Sequence, residues 1–123
     1  TPPVYSIYVS MLTLEWLKKN GGVEWIDKRN QQKADLLYGE IDRNGLFRGT
    51  AETEDRSRMN ATFILANDGH SEDFNKMLTA ANISGLKGHR DVGGFRASMY
   101  NALPIESVEV LVDVMKELER TNG

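Results

Sequence analysis

From Val4 to Leu14 the chain carries no charged residue, and the apolar side chains of this run fall on every side of a helix rather than along one stripe. Pro2 or Pro3 suits the first turn, where a missing N–H costs nothing, with Thr1 as the cap. The pattern predicts a helix to about Lys19, with Lys18 and Lys19 at its negative end and Gly21-Gly22 as the stop. A helix that is apolar nearly all round must be buried on most sides. A chain of 123 residues has room for one domain with a real core, not two, and cannot easily surround its own terminal helix. The expected consequence is a contact with a domain or subunit that the chain does not contain. The start at Thr1, without an initiator Met, fits a chain that is processed, trimmed or cut from something longer. The same apolar run is too short to span a bilayer, and it lacks the basic flank and cleavage site of a signal peptide.

Composition narrows the function classes. A formal net charge of -3 gives no electrostatic reason to expect nucleic acid, and no Lys/Arg cluster marks a membrane surface. The absence of cysteine excludes disulfides, thiol catalysis and cysteine zinc sites, and it fits a reducing, cytoplasmic setting. No paired carboxylates, serine triad or metal-ligand spacing stands out.

Along the chain, a second helix is expected from Val23 to about Asp42, with Ile26, Ala34, Leu37 and Ile41 on its inner face. Leu46 to Thr50 reads as a short strand. Met59 to Leu65 alternates as a second one. Ser71 is the expected cap of a third helix marked by Phe74, Met77, Leu78 and Ala81. Strands at Ser84 to Lys87 and Phe95 to Tyr100 follow, and Pro104 opens a last helix with Ile105, Val108, Leu111, Val112, Met115 and Leu118 in phase. The order α-α-β-β-α-β-β-α implies an α/β (α+β) domain, a small mixed or antiparallel sheet with helices on one face.

The segment that carries chemistry is Lys87-Gly88-His89-Arg90-Asp91-Val92-Gly93-Gly94-Phe95-Arg96. Three glycines in seven residues let backbone approach a ligand closely. Among them stand Lys87, His89, Arg90 and Arg96, all able to be cationic. Two arginines offer planar forks for two anionic groups or one dianion. Arg96 is out of phase with Phe95 and Ala97, so it points away from their side of the sheet. Against this, glycine turns between strands are common, basic turn residues are usually solvated, and the spacing is neither a P-loop nor a dinucleotide fingerprint. His70, in a polar turn, reads as a surface residue. Arg56 and Arg58 read as solvated or paired with Glu52, Glu54 or Asp55, and Trp16 and Trp25 as packing anchors.

The run Leu86-Lys87-Gly88-His89-Arg90, then Val92-Gly93-Gly94, then Arg96 through Tyr100-Asn101-Ala102-Leu103-Pro104, resembles the C-terminal part of the phosphoserine aminotransferase family. The likeness extends to Thr1-Pro2-Pro3, Trp16-Leu17-Lys18, Lys28-Arg29-Asn30-Gln31-Gln32-Lys33 and Arg56-Ser57-Arg58-Met59-Asn60. It implies part of a homodimeric, fold type I, pyridoxal-phosphate-dependent enzyme. Such enzymes move an amino group from glutamate to 3-phosphohydroxypyruvate in serine biosynthesis, and in many bacteria they serve a related phosphorylated substrate in pyridoxine biosynthesis. By the family's pattern, Arg96 grips the substrate α-carboxylate, while His89 and Arg90 reach its phosphate in the partner subunit's site. Thr1 touches the cofactor phosphate across the dimer. A histidine beside an arginine suits a dianion, because a negative ligand favours the charged imidazole.

The family's Schiff-base lysine lies upstream in a large domain, and no lysine of this chain has that sequence context. The resemblance therefore implies that residues 1–123 are the small C-terminal domain, with no catalytic residue of their own and inactive alone. Two other readings stand beside it: a free-standing α/β module that binds a phosphorylated amino acid without catalysis, and a purely structural dimerisation domain. The all-round apolar first helix disfavours the former, and the cations of Lys87 to Arg96 are unexplained by the latter.

Overall fold

The computed structural model describes residues 1–122. Its first helix, α1, is Val4–Lys19, with Lys18 and Lys19 in the last turn. Thr1 does not cap it. Pro3 holds the cap position, its carbonyl accepts the Ile7 N–H at 3.1 Å, and no side chain contributes. Gly21, at φ 119°, turns the chain directly into α2, Gly22–Arg43. The two helices meet where Trp16 and Trp25 pack edge to face, ring centres 5.6 Å apart. The two tryptophans thus pack on each other, as the sequence suggests, although Trp16 stays 39% exposed.

Helix α2 buries Ile26, Ala34, Leu37 and Ile41 as expected, and with them Asn30, Lys33 and Glu40, which lie on the same face. Strand β1 is Phe47–Gly49 and β2 is Asn60–Leu65. Helix α3 is Ser71–Ala80, so Ser71 is its first residue and not its cap. The preceding 3-10 turn is held instead by Asn67, whose side-chain oxygen accepts the Gly69 N–H. Strand β3 is Phe95–Ser98, and α4, Ile105–Asn122, buries Val108, Leu111, Val112, Met115 and Leu118.

The sheet is antiparallel in the order β1-β2-β3, with Phe47 opposite Leu65 and Thr62 opposite Arg96. Its inner face presents Phe47, Ala61, Phe63, Phe95 and Ala97 to α2, α3 and α4. Phe74 of α3 fills the centre, meeting Phe47 and Phe95 edge-on at 5.1 and 5.0 Å. The other face carries Arg48, Thr62, Ile64, Arg96 and Ser98, none of them buried. Helices on one face of a small antiparallel sheet is the architecture that the alternation and periodicity imply.

The expected strand over Ser84 to Lys87 does not form. Asn82 (φ 57°) and Gly85 (φ 77°) turn the backbone repeatedly, leaving one bridge between Lys87 and Phe95. Strand β3 likewise ends at Ser98, beyond which a single bond, Met99 N–H to the Met59 carbonyl at 2.6 Å, extends the pairing. Among the described residues no helix is long and apolar enough to cross a membrane.

Candidate anion-binding site

The loop from Lys87 to Gly94 is closed at its neck by backbone. Arg96 N–H donates to the Leu86 carbonyl at 2.7 Å, and Gly88 N–H donates to the Gly94 carbonyl at 2.9 Å. A Cβ on Gly88 would sit 2.2 Å from the Gly93 oxygen, so the two sides of the neck approach as only glycine allows. Gly94 is held at φ 68°, and its Cβ would lie 2.8 Å from both the Ile64 side chain and the Phe63 oxygen. At the tip the His89 carbonyl accepts from Val92 and Gly93 N–H groups, at 3.0 and 2.7 Å. The glycines therefore shape the neck, and the neck presents His89 and Arg90.

His89 and Arg90 are exposed and line one cavity of about 770 Å³, together with Lys87 and with Arg48 from β1. The cavity is walled by the end of β2 and by the first turns of α3, at Ser71 and Asn75. The Asp91 N–H donates to His89 Nδ1 at 3.3 Å. The Asp91 carboxylate lies 3.5 Å from His89 Nδ1 and 3.6 Å from Arg90 Nε, both loose, solvent-exposed contacts. Arg48 was not singled out by the sequence reading. The signal was there, because alternation about Phe47 puts Arg48 on the outer face with Arg96.

Arg96 stands apart from this group. As its phase requires, it projects from the outer face of β3, exposed, while Phe95 and Ala97 are buried. It lines a different cavity of about 500 Å³, bounded by Leu86, Met99, Leu103 and the first half of α4. Within this chain Arg96 thus borders no cavity in common with the histidine–arginine pair. The physical reason is the loop's course: its tip folds over the end of β2 toward α3, while Arg96 stays with the strand.

His70 is half-buried beside α3, and among the described residues it has no ion pair. Arg56 does not pair with Glu52, Glu54 or Asp55. It makes two 2.7 Å bonds to Asp42 and lies 4.8 Å over the Tyr38 ring, because the β1–β2 connection folds back onto α2. Arg58 pairs with Asp27 on the same helix at 2.5 Å. The Arg56 guanidinium holds the Asp42 carboxyl below its ordinary range. Thr1 is exposed ahead of α1.

Residues 1–111 match the aminotransferase class-V family. The chain belongs to that family. This class-V aminotransferase sequence is 69% identical to the phosphoserine aminotransferase of Flavobacterium psychrophilum, over 97% of its own length and 33% of the relative's. It is 56% identical to that of Bacteroides fragilis, covering 98% and 34%. Among solved structures, phosphoserine aminotransferase from Bacillus circulans subsp. alkalophilus superposes with a TM-score of 0.93 at 44% identity, covering 100% of this chain and 34% of that one. The pyridoxal-phosphate-bound phosphoserine aminotransferase of Trichomonas vaginalis superposes with a TM-score of 0.85 at 40% identity, covering 94% and 34%. The class-V chain spans about a third of the length of the relatives it matches.

A pyridoxal-phosphate cradle is not built from the described residues of this class-V aminotransferase chain. The Lys33 ammonium is fully buried on three backbone carbonyls. Lys87 borders the larger cavity, but the aromatic there, Phe95, is packed into the core against Phe63 and Phe74. What the chain offers is a set of cations at the surface, suited to the anionic ends of a small molecule.

Proposed function

We propose that this chain is the substrate-gripping C-terminal domain of a pyridoxal-phosphate-dependent phosphoserine aminotransferase. The complete enzyme transfers the amino group of glutamate to 3-phosphohydroxypyruvate for serine biosynthesis, and it acts on a related phosphorylated substrate for pyridoxine biosynthesis. The observation that carries this reading is the Lys87–Arg96 segment. It sets His89 and Arg90 on a glycine-closed loop and Arg96 on the adjoining strand, in a chain 69% identical to a phosphoserine aminotransferase.

Arg96 grips the α-carboxylate common to both substrates, and its place on a strand fixes the direction of the fork. His89 and Arg90 take the phosphate. Their separation from Arg96 into another cavity supports delivery to the partner subunit's site in a homodimer, so that one chain serves two sites. Thr1 contacts the cofactor phosphate across the same interface. The Schiff-base lysine and the cofactor cradle belong to a large domain that precedes these residues, so this domain is inactive alone. The exposed apolar side chains of α1, from Tyr5 at 80% to Trp16 at 39%, are covered in the assembled cytoplasmic enzyme. A free-standing module would keep such a surface in water.

Substitutions in the complete enzyme test the two anion roles. Arg96→Ala weakens glutamate and the phosphorylated substrate alike, by about 2–5 kcal/mol for a desolvated pair. The double variant His89→Ala, Arg90→Ala weakens the phosphorylated substrate far more than glutamate in kcat/KM. Equal losses for both substrates in the double variant contradict the phosphate role.

A further inference from the structure

Lys33 is one of the largest fully buried side chains of the protein, with 0% of its surface exposed. Among the described residues no carboxylate pairs with it. Its ammonium donates instead to three main-chain carbonyls: Tyr100 at 2.8 Å, Leu103 at 3.1 Å and Met99 at 3.3 Å. Three donors meet three acceptors, so the group is fully satisfied. Burial, with the charge of Arg29 next, lowers the Lys33 pKa, as befits an ammonium kept dry without a counter-ion. One turn earlier on α2, Asn30 is also buried, and its amide donates to the Asn101 side chain at 2.8 Å. Two polar side chains of one helix therefore converge on the single turn from Met99 to Leu103.

That turn is the continuation of β3, the strand that carries Arg96. Met99 and Leu103, whose carbonyls Lys33 holds, also wall the cavity that Arg96 lines. So does Leu37, one turn along α2 from Lys33. A core that needed only to be filled at this position is served by a methionine or leucine. A buried ammonium bonded to three backbone oxygens fixes where those oxygens lie, and the carbonyls fix the path of the chain beyond Arg96.

We infer that Lys33, helped by Asn30, is a positioning residue of the carboxylate site: it clasps the Met99–Leu103 turn and so sets the place of Arg96 and the shape of its cavity. This rests on the reading of Arg96 as the carboxylate grip. Lys33 does not touch substrate. It acts through backbone, and its loss is felt at the carboxylate and not at the phosphate pair, which sits on the far side of the loop neck.

The test uses the complete enzyme in four forms: unaltered, Lys33→Met, Asn101→Ala and Arg96→Ala. KM and kcat for glutamate are measured with the inhibition constant of inorganic phosphate, which reports on the phosphate pair, and with the bound-cofactor absorbance. The expected result for Lys33→Met is a KM for glutamate raised tenfold or more, with phosphate inhibition and cofactor absorbance unchanged. Asn101→Ala shows a smaller rise in the same direction and keeps the proposal testable if Lys33→Met does not fold. A glutamate KM within twofold of the unaltered enzyme in every foldable clasp variant, while Arg96→Ala raises it, overturns the positioning role and leaves the Arg96 reading intact. An equal loss of glutamate and phosphate affinity in a clasp variant also overturns it, as general loosening. If Arg96→Ala itself changes nothing, the carboxylate reading falls and takes this inference with it.

Discussion

Glu40 shows how much of the helical side of the core depends on one carboxylate. It is 4% exposed and accepts bonds from Arg43 Nη2 at 2.7 Å, Arg43 Nε at 3.0 Å and Asn44 Nδ2 at 3.0 Å. Asn44 donates also to the Met115 carbonyl, and Arg43 reaches Glu119, so the end of α2 is fastened to α4. Burial alone pushes the Glu40 carboxyl up. The hydrogen bonds from Arg43 and Asn44, with the charges of Arg43 and Lys116, outweigh it and hold the group below its ordinary 4.5. A folded-state value below the unfolded one stabilises the native state above the unfolded pKa, and that share is lost as pH falls through the folded value. Glu40→Gln is therefore expected to cost roughly 1–3 kcal/mol at neutral pH. It should also flatten the acid limb below 4.5 in urea unfolding measured across pH. Parallel stability curves for the two proteins would remove Glu40 from this role. Buried polar residues are what the sequence left least legible. Asn30, Lys33 and Glu40 share the face of Ile26, Leu37 and Ile41, but a reading that counts only apolar positions passes over them. Arg56 was misassigned for a related reason: its partner Asp42 is near in space only because a loop folds back over α2.

At the scale of elements, both central helices and the strand pair β1-β2 follow from periodicity and alternation within a residue or two of their ends. The segment before the anion loop does not. Ser84 to Lys87 has the composition of a strand, yet the positive φ at Asn82 and Gly85 is a conformation that no local pattern announced. The loop neck supports a sharper expectation. Gly94→Ala meets both a steric clash and a positive φ, and Gly88→Ala places its methyl against a backbone oxygen, whereas Gly93→Ala has a positive φ but open space. Thermal unfolding should rank Gly93→Ala as the mildest, at about 1 kcal/mol for its backbone strain. The other two should be worse by at least that much again. Equal effects at all three positions would mean that the neck opens readily and does not hold His89 and Arg90.

For the whole molecule, the first helix forms over the range that the sequence predicts and stands exposed along its length. The run from Val4 to Leu14 called for a neighbour outside the chain, and no residue of α1 is buried in the folded domain. The residue types of the candidate site and the outward phase of Arg96 were legible in the sequence. The split between two cavities was not, because it depends on where the loop tip folds. If α1 is covered in the complete enzyme, Ile7→Glu with Leu14→Glu should leave the isolated domain within about 0.5 kcal/mol of its parent, as at any surface position. The same pair should cost the complete enzyme several times that, since each large apolar side chain is worth about 1.5–3 kcal/mol when buried.

The most direct measurement concerns the reactive amine. The isolated chain and the complete enzyme are each mixed with one equivalent of pyridoxal phosphate, reduced with borohydride and mapped by mass spectrometry. A single labelled lysine is expected in the complete enzyme, outside these 123 residues, with no stoichiometric label on the isolated chain. Stoichiometric labelling of Lys87, or of any other lysine described above, would contradict that expectation.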